Sequence, residues 1–171
     1  MSDSTPIFLV GFMGAGKTTV GRELARHLNY DFLDLDDVIV AGAGKSVQEI
    51  FADLGEAQFR SLESAAIRSC ADIVRSVVAL GGGAYVPEQN RVLLREIGKT
   101  VWLDCPTEIC LKRISGDDSR PLLGEESQMH ALAAQRRRSY AQADLVIQTD
   151  DRSPQELAIE IARMLKGLRL D

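Results

Sequence analysis

The strongest constraint on the fold is an alternation between short apolar runs and longer segments of helical period. The apolar runs are residues 7–10, 32–35, 77–80, 101–103 and 145–147, of which 32–35 is the weakest. They are too short for helices, and the other four carry no polar residue at alternate positions. This pattern is typical of strands buried on both faces of a parallel sheet.

Between these runs, apolar residues recur at helical spacing. The predicted helical stripes are Val20, Leu24 and Leu28; Val47, Ile50, Phe51 and Leu54; Phe59, Leu62, Ala66 and Cys70; and Leu157, Ile161 and Leu165. Two helix starts carry capping boxes, Ser46 with Glu49 and Ser153 with Glu156, and Pro154 takes the first helical position of the second. Strand–helix alternation without a linker predicts one α/β domain over residues 1–171, a three-layer sandwich around a five-stranded parallel sheet.

Composition excludes several classes of function. With 171 residues, 45% apolar and 26% charged, the chain is an ordinary globular domain. A net charge of −5 argues against a general nucleic-acid or membrane binder, which usually carries a basic excess. Three cysteines without paired ligand spacing favour a reducing cytosol over disulfides or zinc. A polar N-terminus and the lack of a membrane-spanning run complete the prediction of a cytoplasmic protein.

The first strand runs into Gly-Phe-Met-Gly-Ala-Gly-Lys-Thr, residues 11–18, a complete match to G-x-x-x-x-G-K-[ST]. Its glycines let consecutive backbone N–H groups point at phosphate, Lys17 can reach the β- and γ-phosphates, and the Thr18 hydroxyl can bind Mg²⁺. The following helix aims the positive end of its dipole at the same anion. A glycine-rich turn that only joins strand to helix is the alternative. We predict a P-loop NTPase fold that binds ATP.

For an acceptor site, the residues alone allow both a functional and a structural interpretation. The acidic segment 34–37 follows the second strand, so Asp34 and Asp36 are expected on one side of the strand, facing the cleft, or else cap the next helix. Arg60 lies on a helix, where it could equally be a surface residue. The glycines at 81–83 follow a buried strand, which indicates close approach of the backbone to a ligand.

Taken in order, these blocks resemble the shikimate kinase family over almost the whole chain. The blocks are residues 11–18, Asp-Leu-Asp at 34–36, Phe59 and Arg60 with Glu63, residues 80–84, and Ser-Arg-Pro-Leu-Leu at 119–123. The P-loop alone would name only the superfamily. The resemblance implies transfer of the γ-phosphate of ATP to a hydroxyl of shikimate, with Mg²⁺ as cofactor, in a monomer.

The same resemblance implies a role for each matching residue. Nucleotide binding would fall to Gly14, Ala15, Gly16, Lys17, Thr18, Thr19, Arg113, Arg120 and Pro154, with Arg113 and Pro154 on either side of adenine. Mg²⁺ would be held by Thr18 and, through water, by Asp34. Shikimate would contact Asp36, Arg60, Gly82, Gly83 and Arg136, with Glu63 supporting Arg60. Lys17, Asp36 and Arg120 would be catalytic, Arg120 from a lid over residues 115–128.

Two points stay open. Arg136, Arg137 and Arg138 are consecutive, and helical rotation sends them in three directions. Arg136 matches the family arginine because it precedes Tyr140 by four residues, but Arg138 and Ser139 replace the usual Pro-Leu. Another small-molecule kinase, such as a gluconate or nucleotide kinase, or a P-loop switch is the alternative function. The paired arginines favour an acidic acceptor over a neutral sugar.

Overall fold

The computed structural model describes residues 5–114, 126–149 and 152–168. Their elements, in chain order, are β1 (Ile7–Val10), α1 (Lys17–Leu28), β2 (Asp31–Asp34), α2 (Leu35–Ala43), α3 (Val47–Ser69), β3 (Ser76–Ala79), α4 (Glu88–Ile97), β4 (Lys99–Asp104), α5 (Thr107–Ile114), α6 (Glu126–Tyr140), β5 (Leu145–Gln148) and α7 (Pro154–Gly167). A 3₁₀ turn, Cys70–Asp72, joins α3 to β3. Among the described residues, no helix is long and apolar enough to cross a membrane.

The strands form one five-stranded sheet in the order β2-β3-β1-β4-β5, and every pairing is parallel. Phe8 and Leu9, neighbours on the central strand β1, point to opposite faces of the sheet, and both are fully buried. Both faces are therefore covered, as a three-layer sandwich requires. The predicted fold class and all five predicted strands are confirmed.

The prediction that residues 145–147 are buried on both faces is wrong. β5 is an edge strand, and its residues alternate between buried Leu145 and Ile147 and exposed Val146 and Gln148. At this edge β5 has only one neighbouring strand, and only one of its two faces is covered. An apolar run is therefore compatible with a half-exposed strand.

The helical stripes are confirmed except at Leu54, which is half exposed. Gly55, at φ 79° and ψ 170°, breaks α3 between the two predicted stripes, and Leu54 lies just before this break. Both capping boxes form. Ser46 accepts the N–H of Glu49 at 3.2 Å, and Ser153 accepts that of Glu156 at 3.3 Å.

Strand register brings the carboxyl ends of β1, β2 and β3 to one edge of the sheet. Leu9 of β1 and Asp34 of β2 both pair with Ala79 of β3. The P-loop follows β1, the acidic segment 34–37 begins at the end of β2, and the glycines 81–83 follow β3. Three segments far apart in sequence therefore meet where ligands bind in open parallel sheets.

Candidate active site

A cavity of about 250 Å³ lies at this edge. Its walls come from the P-loop and the start of α1, from Asp34 and Asp36, from residues 79–82, and from Arg113. The predicted phosphate-binding residues and part of the predicted acceptor site thus share one opening.

The P-loop curves tightly because its glycines adopt conformations that other residues rarely do. Gly14 and Gly16 have φ values of 77° and 92°. A Cβ at Gly14 would also lie 2.6 Å from the carbonyl oxygen of Cys110, so the loop packs tightly on α5. Lys17 Nζ donates to the carbonyl oxygens of Gly11 and Phe12, both at 2.9 Å, which bends its ammonium group over the loop. This arrangement is suited to an anion.

Asp34 serves two purposes at once. One oxygen accepts the Thr18 hydroxyl at 2.8 Å, and the other accepts the backbone N–H of Asp36 at 3.1 Å and caps α2. Capping and a role in the cleft are therefore compatible. The prediction that Asp36 faces the cleft from the strand is wrong, because Asp36 lies in the first turn of α2. It lines the same cavity because α2 begins directly at the end of β2.

The glycines 81–83 are surrounded by the charged side chains of the predicted acceptor site. A Cβ at Gly81 would lie 2.9 Å from Asp36 Oδ1 and 2.7 Å from Glu63 Oε1. A Cβ at Gly82 would lie 3.2 Å from Arg136 Nη1, and one at Gly83 would collide with the Arg60 guanidinium. Space at this loop is taken by charged side chains, which explains the run of three glycines.

Arg60 is held by carboxylates on its own helix. Its guanidinium donates to Glu63 Oε2 at 2.6 Å and to the exposed Glu56 at 3.1 Å. Burial raises the pKa of the Glu63 carboxyl, an effect that Arg60 partly offsets and that the nearby Asp36 reinforces. The buried Glu63 Oε1 has no hydrogen-bond partner among the described residues and faces the glycine loop.

The three consecutive arginines of α6 point in three directions. Arg136 is buried, with its guanidinium carbon 5.9 Å from the centre of the Phe12 ring and its Nη1 beside Gly82. Arg137 binds Asp104, and Arg138 is exposed. Of the three, Arg136 is the one that reaches the glycine loop, and one turn later the Tyr140 hydroxyl donates to the Gly82 carbonyl oxygen at 2.5 Å.

Comparison with known proteins identifies the family of this chain. A family model described as shikimate kinase matches residues 13–166. The shikimate kinase of Geobacter sulfurreducens is 48% identical over 168 residues, 96% of this chain and 93% of that protein. The chain belongs to the shikimate kinase family.

Solved structures agree. The shikimate kinase of Acinetobacter baumannii, solved in complex with shikimate, superposes with a TM-score of 0.93 at 36% sequence identity. The match covers 98% of this chain and 96% of the Acinetobacter baumannii chain. The APS kinase of Mycobacterium tuberculosis has a TM-score of 0.60 at 19% sequence identity, over 95% of this chain and 97% of that kinase. This likeness shows only that the two proteins share a fold. The resemblance read from the sequence is confirmed.

The structure describes only part of the remaining predicted nucleotide-binding residues and the predicted lid. Arg113 lines the cavity, donates to the Gly14 carbonyl oxygen at 3.1 Å and lies 3.9 Å from Cys105 Sγ. Pro154 begins α7 and is not among the described residues that line the cavity. Arg120, and the predicted lid up to residue 125, lie outside the described residues, whereas 126–128 begin α6.

Sequence reasoning missed several contacts of residues that lie around the cavity. A hydrogen bond from Cys110 lowers the pKa of the Cys105 thiol to about 6, while burial opposes the change. Burial raises the pKa of Tyr140 to about 12, so its hydroxyl stays protonated as a donor. The four-residue spacing from Arg136 could have placed Tyr140 on the same helix face. No sequence signal connects Arg137 with Asp104.

Proposed function

We propose that this protein transfers the γ-phosphate of ATP to the 3-hydroxyl of shikimate, giving shikimate 3-phosphate and ADP in the pathway to chorismate and the aromatic amino acids. The observation that carries the proposal is the meeting, at one sheet edge, of the P-loop with a carboxylate and two arginines around residues 81–83. The likeness to the Acinetobacter baumannii enzyme, solved with shikimate, supports the choice of acceptor.

On the donor side, backbone N–H groups of Gly14, Ala15 and Gly16 receive the phosphates at the start of α1. Lys17 exchanges its bonds to the Gly11 and Phe12 carbonyl oxygens for the β- and γ-phosphates. Thr19 and Arg113 contact the nucleotide, and Arg113 and Pro154 enclose adenine. The positive groups offset the charge that develops on the transferring phosphoryl group.

The residues present fit Mg²⁺. Thr18 and Asp34 bring hard oxygen atoms within 2.8 Å of each other beside the P-loop, and Mg²⁺ prefers oxygen ligands with several waters retained. Among the described residues, no group of three or more His, Cys, Asp or Glu side chains could hold a metal ion. When bound, the metal neutralises phosphate charge. Thr18 would bind it directly and Asp34 through water.

On the acceptor side, Arg60 and Arg136 hold the carboxylate of shikimate, because a guanidinium matches a carboxylate with two parallel hydrogen bonds. Gly82 and Gly83 offer backbone groups at close range. Asp36 orients the 3-hydroxyl and accepts its proton. The hydroxyl oxygen forms the new bond to γ-phosphorus as the bond to the β–γ bridging oxygen breaks, and ADP leaves with that electron pair.

Residues 115–128 act as a lid that brings Arg120 to the transferring phosphate and excludes water. Water must be kept out because it would otherwise take the phosphoryl group in place of shikimate. We further propose a single-domain, cytoplasmic monomer over residues 1–171.

One assay tests the function. ADP release is measured with ATP and Mg²⁺, with and without shikimate, and the product is identified by phosphorus NMR. We expect strong dependence on shikimate and loss of activity on chelation by EDTA, restored by added Mg²⁺. Gluconate is the parallel acceptor. Preference for gluconate, or slow ADP release that ignores both acids, would refute the proposal and favour another kinase or a P-loop switch respectively.

A further inference from the structure

Arg137 of α6 contacts both a carboxylate and an aromatic ring, although it is not among the described residues that line the cavity. Its Nη1 and Nη2 donate to the two oxygens of Asp104 at 2.6 and 2.7 Å. Such a bidentate ion pair fixes the orientation of the guanidinium as well as its distance from the carboxylate. Asp104 ends β4, has a side chain only 5% exposed, and also accepts Gln148 Nε2 at 2.9 Å. The carboxylate is therefore anchored in the sheet.

The flat face of the same guanidinium is also bound. The guanidinium carbon lies 4.8 Å from the centre of the Trp102 ring, and Trp102 in turn contacts Tyr140, with 6.0 Å between ring centres. Arg137 is thus fixed at its edge by a carboxylate and at its face by an aromatic ring. These contacts attach the last two turns of α6 to β4.

Fixing Arg137 also fixes its neighbour. Successive side chains on a helix are separated by about 100° of rotation, so holding Arg137 against β4 sets the direction in which Arg136 leaves α6. That direction leads to the Phe12 ring and Gly82, where the acceptor's carboxylate is expected. A small rotation of α6 would move the Arg136 guanidinium away from this position.

We propose that Asp104 and Arg137 are positioning residues that hold α6 at the rotation in which Arg136 meets the carboxylate of the acceptor. The inference rests on the proposed function, because it concerns the same acceptor. It assigns neither residue a contact with substrate. A purely structural ion pair is the competing explanation. Because the Asp104 side chain is only 5% exposed, removing Arg137 leaves a buried carboxylate without its ion-pair partner and is expected to lower stability as well, so the test needs a readout other than stability.

The experiment compares Arg137→Met with Arg138→Met, a matched control on the same helix. Each variant removes one positive charge from an exposed residue of α6. Any loss of long-range attraction for an anionic substrate is therefore the same in both variants. Relative to the control, we expect Arg137→Met to raise the shikimate KM roughly tenfold, since small misplacement of a binding group is costly. The ATP KM and kcat should stay within about twofold. Asp104→Asn should act like Arg137→Met, and Arg137→Lys should recover part of the affinity.

A double variant separates positioning from stability. If Arg137 acts through Arg136, then Arg137→Met should add little to the shikimate KM in an Arg136→Lys background. Thermal melts of every variant show whether it folds. If Arg137→Met does not fold, the comparison is made with Arg137→Lys and Asp104→Asn instead. Equal shikimate KM values for Arg137→Met and Arg138→Met, or fully multiplicative effects in the double variant, would overturn the inference. Wild-type protein without shikimate-dependent ADP release would instead refute the proposed function.

Discussion

The proposed phosphate-binding half of the site comes from one continuous segment, residues 11–18, whereas the proposed acceptor half is assembled from four separate parts of the chain. Asp36 lies on α2, Arg60 on α3, Gly82 in the loop after β3, and Arg136 on α6. The first half is shaped by backbone conformation. The second depends on side chains brought together by packing.

This difference predicts different sensitivities to mutation. Backbone N–H groups of the P-loop are held by glycine dihedral angles and by contact with α5, so single side-chain changes there should leave the loop in place. Acceptor side chains hold one another, as Arg60 and Glu63 do across 2.6 Å. Changes in that half should therefore alter substrate affinity in graded steps, and the following experiments test this contrast.

The largest effect is expected at Lys17. Lys17→Met removes the ammonium group that neutralises the β- and γ-phosphates, and kcat should fall about 10³-fold, as for loss of a transition-state donor. The protein should still fold, because Lys17 is only partly buried and its hydrogen bonds to the Gly11 and Phe12 carbonyl oxygens lie within the loop itself. Steady-state kinetics and circular dichroism melts measure both effects, with the exposed Lys166→Met as control. A folded Lys17→Met enzyme of near-normal kcat would contradict the assignment.

Asp36→Asn should lower kcat about 10²-fold with a smaller change in shikimate KM, because an amide cannot accept the hydroxyl proton. The neighbouring Asp37→Asn is the matched control, since Asp37 is exposed in the same first turn of α2 and interacts similarly with the helix dipole. If both variants lose activity equally, the effect belongs to the helix start and not to proton transfer.

Arg60→Lys should raise the shikimate KM about tenfold and lower kcat less, because lysine keeps the charge but loses the two-pronged bond to a carboxylate. Arg68→Lys, on an exposed position of the same helix, is the control. An unchanged shikimate KM would show that Arg60 does not bind the carboxylate of shikimate. A loss confined to kcat would show that the roles proposed for Arg60 and Asp36 are reversed.

Gly83→Ala should push the Arg60 guanidinium aside and raise the shikimate KM by about fivefold, which corresponds to roughly 1 kcal/mol of misfit. Gly42→Ala is the control, because a Cβ there meets nothing within 4 Å. The substitution at 83 should leave the ATP KM unchanged. Wild-type affinity for shikimate in Gly83→Ala would show that Arg60 occupies a different position during binding.

The smallest effect concerns stability. Burial raises the pKa of Glu63 above its usual 4.5, so the folded state binds this proton more tightly than the unfolded state does. Its contribution to stability is therefore fully present below pH 4.5 and is lost as pH rises through the raised value. Glu63→Gln cannot titrate. As pH falls from 7 toward 4.5, wild type should gain stability relative to this variant in urea unfolding.

Glu56→Gln is the control for that measurement. It removes the exposed carboxylate from the same arginine and leaves the buried one in place. If the pH dependence of the stability difference is the same for both variants, burial of Glu63 is not its cause.

Much of the fold was predictable because its signals are local. Five apolar runs gave the strands to within two residues, and both capping boxes formed because each needs only residues three apart. Exposure of Val146 was not predictable, because the run 145–147 does not say whether its strand lies inside the sheet or at its edge.

Within the site, the sequence by itself determined the P-loop, because eight consecutive residues carry both the backbone geometry and the functional groups of phosphate binding. Only the tertiary structure decided which of three adjacent arginines meets the glycine loop and that Arg137 instead binds Asp104, 33 residues earlier. Such choices depend on the rotation at which α6 packs against β4. That rotation arises from contacts between distant residues, and no local pattern contains it.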